Sequence, residues 1–395
     1  MRMFVRLAIA TLLTAGPALA GGAAVADTPE PTPVPLHTAE TGGLPGQYIV
    51  TLHKGVDPSK LAQRLGVKPT FVYSAAINGF AVALNSHQLD KLRTTSGVKS
   101  VEQDATASAP PVPKAPAAGR APSNSWGLDR IDQRDLPLDG AFTVEGSGAG
   151  VTAYILDSGI DYEHDEYRGR ATFGFDAMGD GRRGADCNGH GTHVAGTVGG
   201  KTYGVATKVN LVSVRVLGCD NRGSFSGIIA GLDWVARNAR QPAVLNGSLG
   251  GGFSQTVNDA ANNLSRAGVL PVISAGNDAK NAANYSPASA DRVLTVGASD
   301  RYDDETNFSN YGNVVDLYAP GQDILSARLG GGSVSFNGTS MAAPHVTGAA
   351  VLFKQKHPKA DPEEIFNALL TESTKDRLSF LSSGSPNRLL FTGGL

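Results

Sequence analysis

Four polar residues stand where an apolar or glycine-rich segment ends, or where a helix is predicted to begin. Asp157 directly follows the apolar run 151–156, and Asn277 comes just after the apolar run 270–275. His190 lies between two glycines at the start of a predicted helix, and Ser340 follows an Asn-Gly turn that leads into another helix. Taken singly, each residue has an ordinary structural explanation, such as a helix cap, a turn or a packed side chain.

Taken together, the four residues supply an acid, a base, a nucleophile and an oxyanion donor. The chain order of the first three is Asp157, His190 and Ser340. The Asn277 amide can donate to a developing oxyanion, and the predicted helix N-terminus at Ser340 favours negative charge nearby. This combination indicates nucleophilic hydrolysis.

The segment around His190 also permits two other interpretations. His190 and His193 stand three residues apart, which suggests a metal site, and the run 195–202 resembles a relaxed phosphate-binding loop. A zinc metalloprotease would need a glutamate and wider histidine spacing. A phosphate-binding loop needs its glycines between a strand and a helix, whereas Lys201 falls where a helix is already expected, and Ala195 replaces the first glycine. We therefore expect His193 to be a packed helix residue.

The elements that position these residues alternate between apolar strands and helices. The predicted strands are 151–156, 209–216, 244–245, 270–275, 293–297 and 315–319, and the predicted helices are 225–237, 257–266 and 340–356. Such alternation favours an α/β domain over residues 123–395, with a mainly parallel sheet covered on both faces. Binding sites in these sheets form at the carboxyl ends of the strands.

The first third of the chain divides into three regions. Residues 1–26 have the positive start, short apolar run and small residues of a secretory signal peptide. Residues 27–122 are predicted to be a propeptide, in which 27–45 is a disordered lead, 47–104 a compact module and 105–122 an unpacked Ala/Pro-rich linker. The strand and helix patterns of 47–104 suggest a β-α-β-β-α-β order.

Composition excludes several classes of function. A net charge of −2 over 395 residues gives no basic surface for nucleic acid. The predicted signal peptide leads us to expect a secreted, extracellular protein, and because no later apolar run is long enough to span a bilayer we expect no membrane partner after the leader is removed. We also expect a monomer. Its two cysteines, Cys187 and Cys219, are expected to be a disulfide in an exported protein, with two buried thiols as the alternative.

Several motifs resemble those of one enzyme family. Around the proposed acid, base and nucleophile, the sequence resembles the three signatures of subtilisin-like serine proteases, in the same order. These signatures read Asp157-Ser-Gly, His190-Gly-Thr-His193 and Gly338-Thr-Ser340-Met-Ala. Further stretches at 248–252, 275–277, 284–289 and 296–300 are most similar to the proteinase K subfamily. The module 47–104 is similar to the inhibitory prodomain of these enzymes.

The resemblance implies a fold and a set of roles. The fold is α/β, a three-layer subtilisin-like architecture with a mainly parallel central sheet, preceded by a small α+β, ferredoxin-like prodomain. Ser340 would attack the peptide carbonyl, and His190 would move the proton. Asp157 would orient the histidine, and Asn277 with the Ser340 N–H would bind the oxyanion.

Substrate-binding residues are also implied by the resemblance. Two edge segments would hold an extended peptide by strand addition. One contains Gly223 and Phe225, and the other contains Ser248, Leu249 and Gly250. A third segment, with Ala275 and Gly276, would line the pocket for the residue before the cut. Because these segments carry no charge, we expect a broad, apolar preference. One departure from the family is Gly247, where a larger residue is common.

Structural calcium is a further implication. The carbonyls of Asp291 and Val293 with the carboxylate of Asp316 resemble the subfamily's tight site, and oxygen ligands suit this hard ion. A second cluster resembles a site of some bacterial members and comprises Asp129, Asp132, Gln133 and Asp139. The Cys187–Cys219 pair resembles a disulfide of those members.

The sequence thus predicts a secreted serine endopeptidase that matures by cutting its own propeptide. Its partners would be protein or peptide substrates and its own prodomain, which acts as an intramolecular inhibitor. The alternative is a secreted, catalytically inactive protein that keeps the fold and only binds. The presence of all four catalytic residue types favours the enzyme.

Overall fold

The structure, a computed structural model, describes residues 32–111 and 125–395. The predicted signal peptide and the rest of the Ala/Pro-rich segment, 112–122, lie outside the described residues. Within the described ranges, no helix has both the length and the apolar character needed to cross a membrane.

The N-terminal module, residues 36–108, is a sheet packed against two helices. Its strands are β1 (Leu36–His37), β2 (Gly43–Leu52), β3 (Pro69–Tyr73), β4 (Gly79–Ala83) and β5 (Val98–Ser108), and its helices are α1 (Pro58–Leu65) and α2 (Ser86–Arg93). The strand order is β1-β5-β2-β4-β3. Asp57 caps α1 through the Lys60 N–H, and Asn85 forms a capping box with Gln88 at the start of α2. Apolar residues of both helices share one core with β2, β4 and β5.

Two predictions for this region are wrong. Residues 36–45 were expected to be disordered, yet β1 pairs with β5 and β2 already begins at Gly43. Residues 105–108, expected to be part of an unpacked linker, complete β5, and Ala105 and Ala107 are buried. Small side chains did not prevent burial here because the segment lies against another part of the protein.

The C-terminal domain follows the predicted alternation of strands and helices. Its helices are α3 (Trp126–Ile131), α4 (His190–Gly199), α5 (Phe225–Asn238), α6 (Gln255–Arg266), α7 (Thr339–Lys356) and α8 (Pro362–Glu372), with a short 3-10 helix at Ala282–Asn284. Its main strands are β6 (Thr152–Asp157), β7 (Ala171–Asp176), β8 (Asn210–Arg215), β10 (Ala243–Gly247), β12 (Leu270–Ser274), β14 (Leu294–Ser299) and β15 (Leu317–Pro320). Short strands are β9 (Arg222–Ser224), β11 (Gly251–Gly252), β13 (Tyr285–Ser286), β16 (Ile324–Ala327), β17 (Ser333–Phe336), β18 (Thr374–Lys375) and β19 (Arg388–Leu389).

The central sheet has the order β18-β19-β15-β14-β12-β10-β6-β8-β7 and is parallel except for the edge pair β18–β19. Successive side chains of a strand face opposite sides, and β6 shows this clearly. Ala153 and Ile155 pack with α4, α7 and α8, whereas Tyr154 and Leu156 pack with α5 and α6. The three-layer α/β prediction is therefore confirmed.

The N-terminal module and the C-terminal domain lie in one compact unit, residues 33–395. Two acidic side chains of β5, Glu102 and Asp104, point to the same side because they are two residues apart. Asp104 accepts from the N–H of Ser226 in the first turn of α5, and Glu102 accepts from the N–H of Thr256 in the first turn of α6. Negative charge is favourable at a helix N-terminus, so the module caps two helices of the domain.

Candidate active site

Three adjacent parallel strands deliver the polar residues to one edge of the sheet. Asp157 is the last residue of β6, Ser248 follows β10, and Asn277 comes three residues after β12. The neighbouring order β12-β10-β6 brings these strand ends together. This is the edge at which parallel sheets bind ligands.

Asp157 and His190 form a buried pair. His190 is the first residue of α4, and its Nδ1 lies 2.8 Å from Asp157 Oδ1. Both side chains are almost fully buried. The glycines around His190 permit this approach, since Gly189 has φ +108° and a Cβ on Gly191 would lie 2.2 Å from the Gly159 carbonyl oxygen. A carboxylate at Nδ1 leaves Nε2 free to exchange a proton with a nucleophile.

Asp186 is a site residue that the sequence analysis missed. Its buried carboxylate accepts from the Ser158 hydroxyl, from the backbone N–H groups of Asn188, Gly189 and Thr192, and from the Thr192 hydroxyl. It therefore joins the residue after Asp157 to the first turn of the His190 helix. Burial raises the pKa of Asp186, and these hydrogen bonds oppose that rise. The only sequence signal was an aspartate shortly before a glycine-framed histidine.

Ser340 lies in the first turn of α7, after Gly338 with φ +150°. Its hydroxyl donates to the Ser248 carbonyl oxygen at 3.2 Å, and the Ser248 hydroxyl donates to the Ser340 carbonyl oxygen at 2.9 Å. Among the described residues, His190 Nε2 is buried with no hydrogen-bond partner. The Ser340 hydroxyl thus lies at the carboxyl end of β10, where it is hydrogen-bonded to the Ser248 carbonyl and not to His190.

Asn277 is oriented by the residue before Ser340. Its Oδ1 accepts from the Thr339 N–H at 2.8 Å and from the Thr339 hydroxyl at 3.1 Å. Because the oxygen side of the amide is held by these two donors, the Nδ2 side remains as a donor beside the first turn of α7. The Thr339 hydroxyl also accepts from the Gly276 N–H at 3.1 Å, which ties this loop to the helix.

Two edge segments flank the site, and the end of β5 lies between them. Thr106, Ala107 and Ser108 pair with Ser224, Gly223 and Arg222 of β9, and Ser108 exchanges both backbone hydrogen bonds with Gly250 at 3.0 Å each. We call residues 105–110, the end of β5 and the two residues after it, the β5 tail. Its alanines pack in one apolar cluster with Phe225 and Leu249. Added strands of this kind are a common mode of peptide binding.

Ala275 and Gly276, the predicted pocket residues, directly precede Asn277 in the loop after β12. Ala275 is buried, and its carbonyl accepts from Asn310 Nδ2 at 2.9 Å. Gly276 has φ +105°, a conformation that glycine adopts without strain. At Gly247, an added Cβ would lie 2.7 Å from Ile273 Cδ1, so Ile273 fills the space that a larger residue would need.

The structure joins Cys187 and Cys219 in a disulfide, with 4.9 Å between the Cα atoms. The bond links the loop before His190 to the loop before β9, one edge of the cleft. The adjacent Asn188 amide donates to the Cys219 carbonyl at 3.1 Å. The prediction of a disulfide is confirmed.

The other residues of the opening motif are structural. His193 stacks on Phe336, and its Nε2 lies within hydrogen-bond distance of the Ile324 and Val334 carbonyl oxygens. Burial lowers the pKa of His193 to about 3, so the ring is neutral. Lys201 follows the end of α4, and its N–H donates to the Glu166 carbonyl. Neither residue has the surroundings of a metal or phosphate site.

The first predicted calcium set can be tested by the chemistry of its donors. Asp316 is half-buried and accepts from the Thr295 N–H at 2.7 Å, while Arg388 contributes an opposing charge. Burial raises the pKa of Asp316 to about 7, which indicates a carboxylate with too little countercharge. Val293 is buried and Asp291 exposed nearby in the chain. A carboxylate and carbonyl oxygens fit calcium in kind.

The second predicted set is bound mainly to backbone. Asp129 accepts from the N–H groups of Asp139 and Gly140, and Asp132 accepts from the Thr143 N–H. Gln133 accepts from Asp139 N–H as well. Within residues 32–111 and 125–395, no group of three or more His, Cys, Asp or Glu side chains is arranged to hold a metal ion.

Comparison with known proteins gives two family matches. Residues 148–389 match the subtilase family, and residues 47–109 match the peptidase inhibitor I9 family. The second match ends within the β5 tail that lies between the edge segments.

Relatives extend over nearly the whole chain. An extracellular serine proteinase from Thermus sp. (strain Rt41A) is 44% identical over 376 residues, covering 88% of this chain and 90% of that protein. A cuticle-degrading protease from Metarhizium anisopliae is 39% identical and covers 98% and 99% of the two chains. The crystal structure of a cold-adapted subtilisin-like serine proteinase matches with a TM-score of 0.67 and 46% identity, over 68% of this chain and 97% of the other.

Proposed function

The chain belongs to the subtilase family of serine endopeptidases, and we propose that Asp157, His190 and Ser340 are its catalytic triad. The observation that carries this assignment is the buried Asp157–His190 hydrogen bond of 2.8 Å at the strand ends where Ser340 and Asn277 also lie. His190 would be the general base, because its Nε2 is the ring nitrogen that Asp157 leaves available.

In the proposed reaction, the Ser340 hydroxyl turns from the Ser248 carbonyl toward His190 Nε2. Ser340 Oγ then bonds to the carbon of the scissile carbonyl while His190 takes the hydroxyl proton. When the C–N bond breaks, the imidazolium gives this proton to the leaving amine. Water repeats the sequence on the acyl-enzyme and releases the carboxylate.

The negative oxygen formed on attack would be bound by two donors. One is Asn277 Nδ2, because Thr339 holds the other end of that amide. The other is the Ser340 backbone N–H, which belongs to the first turn of α7 and has no carbonyl partner inside the helix. Fixed donors at a developing oxyanion are commonly the largest contribution to catalysis.

Specificity is proposed to be broad with an apolar preference. Substrate backbone would pair with Gly223 and Gly250 as the β5 tail does, and side chains would meet Phe225, Leu249, Ala275 and Gly276. These positions carry no charge. Backbone pairing supplies affinity that does not depend on the substrate sequence.

We also propose that the enzyme is made as a secreted, self-processed zymogen. Residues 1–26 would be the signal peptide, 27–122 the propeptide and 123–395 the peptidase domain. The fit of β5 between both edge segments, and its capping of α5 and α6, support a prodomain that assists folding and then blocks the cleft.

Structural calcium is proposed at Asp316, with the Asp291 and Val293 carbonyl oxygens as further ligands. Calcium bound there would supply the countercharge that the enclosed Asp316 carboxylate lacks. The Asp129 and Asp132 set is a weaker candidate, since their oxygens already accept backbone N–H groups.

Expression of the Ser340→Ala chain tests the proposal. We expect this variant to accumulate as uncleaved precursor and to hydrolyse no peptide, while the wild-type chain matures and is active. Maturation of Ser340→Ala, with no other protease present, would contradict both self-processing and the role of Ser340. Thr347→Ser, a conservative change further along the same helix, is a suitable control.

A further inference from the structure

The β5 tail enters the cleft in a fixed register. Ser108 and Gly250 exchange both backbone hydrogen bonds, so they form one hydrogen-bonded pair of an antiparallel ladder. Such pairs recur every second residue. Ser108–Gly250 is a single bridge, and extending its register by two residues along the tail would place Pro110 opposite Ser248, the residue two before Gly250.

Ser248 marks the position of the nucleophile, because its carbonyl oxygen lies 3.2 Å from Ser340 Oγ. Contacts of Pro110 agree with this register. A Cβ on Gly338, two residues before Ser340, would lie 3.6 Å from Pro110 Cγ. Ala109 donates its N–H to the Asn221 carbonyl at 3.3 Å, which fixes the residue before Pro110. The bond presented to Ser340 is thus the one between Pro110 and Pro111.

The hydrogen bond expected next in this register, from residue 110 to the Ser248 carbonyl, cannot form because residue 110 is proline. An ordinary residue at 110 would donate its N–H to the Ser248 carbonyl, but proline has no N–H. The Ser340 hydroxyl donates to that carbonyl instead, and His190 Nε2 is left without a partner among the described residues. The nucleophile is consequently not bonded to its base while the tail is in place.

The Pro110 carbonyl oxygen is hydrogen-bonded to a residue other than the proposed oxyanion donors. Its oxygen accepts from Asn221 Nδ2 at 2.8 Å, whereas the oxyanion donors are Asn277 and Ser340. A residue before proline is restricted to extended backbone, so Pro111 limits rotation of this carbonyl. Asn221 is buried and has φ +61°, so its amide is directed by a constrained backbone.

Cleavage between 110 and 111 would require two transfers. Ser340 Oγ would have to bond to the Pro110 carbonyl carbon, and His190 would have to protonate the Pro111 nitrogen as the C–N bond breaks. That nitrogen carries the ring Cδ where other residues carry hydrogen. The proton must add to the lone pair that the nitrogen gains when it becomes pyramidal, and the five-membered ring restricts how that lone pair can turn toward His190.

We propose that the Pro110–Pro111 bond is a cleavage-resistant stop, so that the tail occupies the catalytic position intact and the processing cut lies beyond Pro111. This inference rests on the proposed function, since it assumes that Ser340 is the nucleophile. It assigns Asn221 as the positioning residue for the inhibitory carbonyl. It also accounts for the Pro-rich stretch after the inhibitory strand: the segment that covers Ser340 stays uncut, and self-processing takes place further along the chain.

The mass of the released N-terminal fragment tests this directly in the full-length chain. We expect the wild-type fragment to end beyond residue 111, and the fragment of Pro111→Ala to end at residue 110. Pro111 is exposed, so this variant should fold. Pro113→Ala is the matched control and should behave as the wild type. A wild-type fragment ending at or before 110, or a Pro111→Ala fragment still ending beyond 111, would overturn the proposal.

A second arm separates this proposal from the proposed function. Mature enzyme is given synthetic peptides of residues 105–114, either wild type or with Pro111→Ala. The wild-type peptide should stay uncut at 110–111 and inhibit competitively, and the variant should be cut after residue 110. Cutting of both peptides after 110 would overturn only the stop, whereas failure to cut either peptide or an unrelated protein substrate would overturn both.

Discussion

Asp186→Asn is the substitution that most directly tests how His190, the proposed general base, is positioned. The Asp186 carboxylate accepts five hydrogen bonds, three at Oδ1 and two at Oδ2. An amide keeps one oxygen, so its NH₂ group would face the Thr192 N–H and hydroxyl. The hydroxyl can turn to accept, but the N–H cannot. The first turn of α4, which begins at His190, would lose its carboxylate anchor.

The expected loss can be estimated from these contacts. A hydrogen bond to a charged group contributes about 1.5–3 kcal/mol, and one or two of the five are lost. Burial raises the pKa of Asp186, which shows that desolvation offsets part of this gain, and the neutral amide avoids that cost. We therefore expect Asp186→Asn to lower the free energy of unfolding by about 2 kcal/mol. A displacement of His190 by a fraction of an ångström should lower kcat by about tenfold or more, with little change in KM.

The two measurements use different backgrounds, so that self-digestion does not affect the unfolding curves. Unfolding is followed in denaturant on the Ser340→Ala background, and kcat and KM are measured on the active chain. Asp165→Asn is the control, because Asp165 is an exposed partner of Arg168 and its loss should change stability by less than about 0.5 kcal/mol. If Asp186→Asn unfolded like the wild type and kept its kcat, the assignment of Asp186 as a positioning residue would be refuted.

Three further predictions concern catalysis, pH and calcium. Asn277→Ala should lower kcat by about 10²–10³-fold with KM nearly unchanged, as is typical for loss of one oxyanion donor; an unchanged kcat in steady-state assays would remove Asn277 from the mechanism. Burial lowers the pKa of His193 to about 3 and of His345 to about 4, so the unfolded chain binds more protons below pH 6.5. Asp316, whose pKa is raised to about 7, contributes the opposite slope in this range, so the titration is made on the Ser340→Ala, Asp316→Asn chain. There, the free energy of unfolding should decrease by about 1.4 kcal/mol per pH unit for each histidine as the pH is lowered from about 6 to 4. The exposed His87→Gln variant should retain this slope, and its absence would contradict the neutral burial of His193 and His345. Excess chelator should lower the melting temperature of the wild type but not of Asp316→Asn, and equal curves for the wild type with and without chelator would count against calcium at Asp316.

Much of the candidate site could be predicted because the signals for it are local in the chain. Apolar runs that end in Asp157 or lead to Asn277 indicate buried strands with polar residues at their carboxyl ends. Parallel pairing then gathers those ends at one edge. The helices 225–237 and 340–356 were likewise predicted within one residue at each end, since their apolar periodicity and their turn or cap residues are all local.

The features that were missed depend on contacts far apart in sequence. Ala/Pro composition predicted that 105–111 would not pack, but Ala107 is buried because β9 and Phe225 lie against it. Asp186 was not singled out from the sequence, because its role depends on Ser158 and Thr192 being brought together in the fold. The Ser108–Gly250 bridge, which sets the register of this segment, is a property of the folded cleft, and no local pattern encodes it.

Labelling of the matured protein by a fluorophosphonate probe tests most directly whether Ser340 is the nucleophile, because the probe bonds only to a serine activated by its base. We expect one labelled peptide, which contains Ser340, and no labelling after the matured protein has been denatured. Labelling at another residue, or no labelling of a folded, matured chain, would contradict the assignment of Ser340, His190 and Asp157 as a catalytic triad.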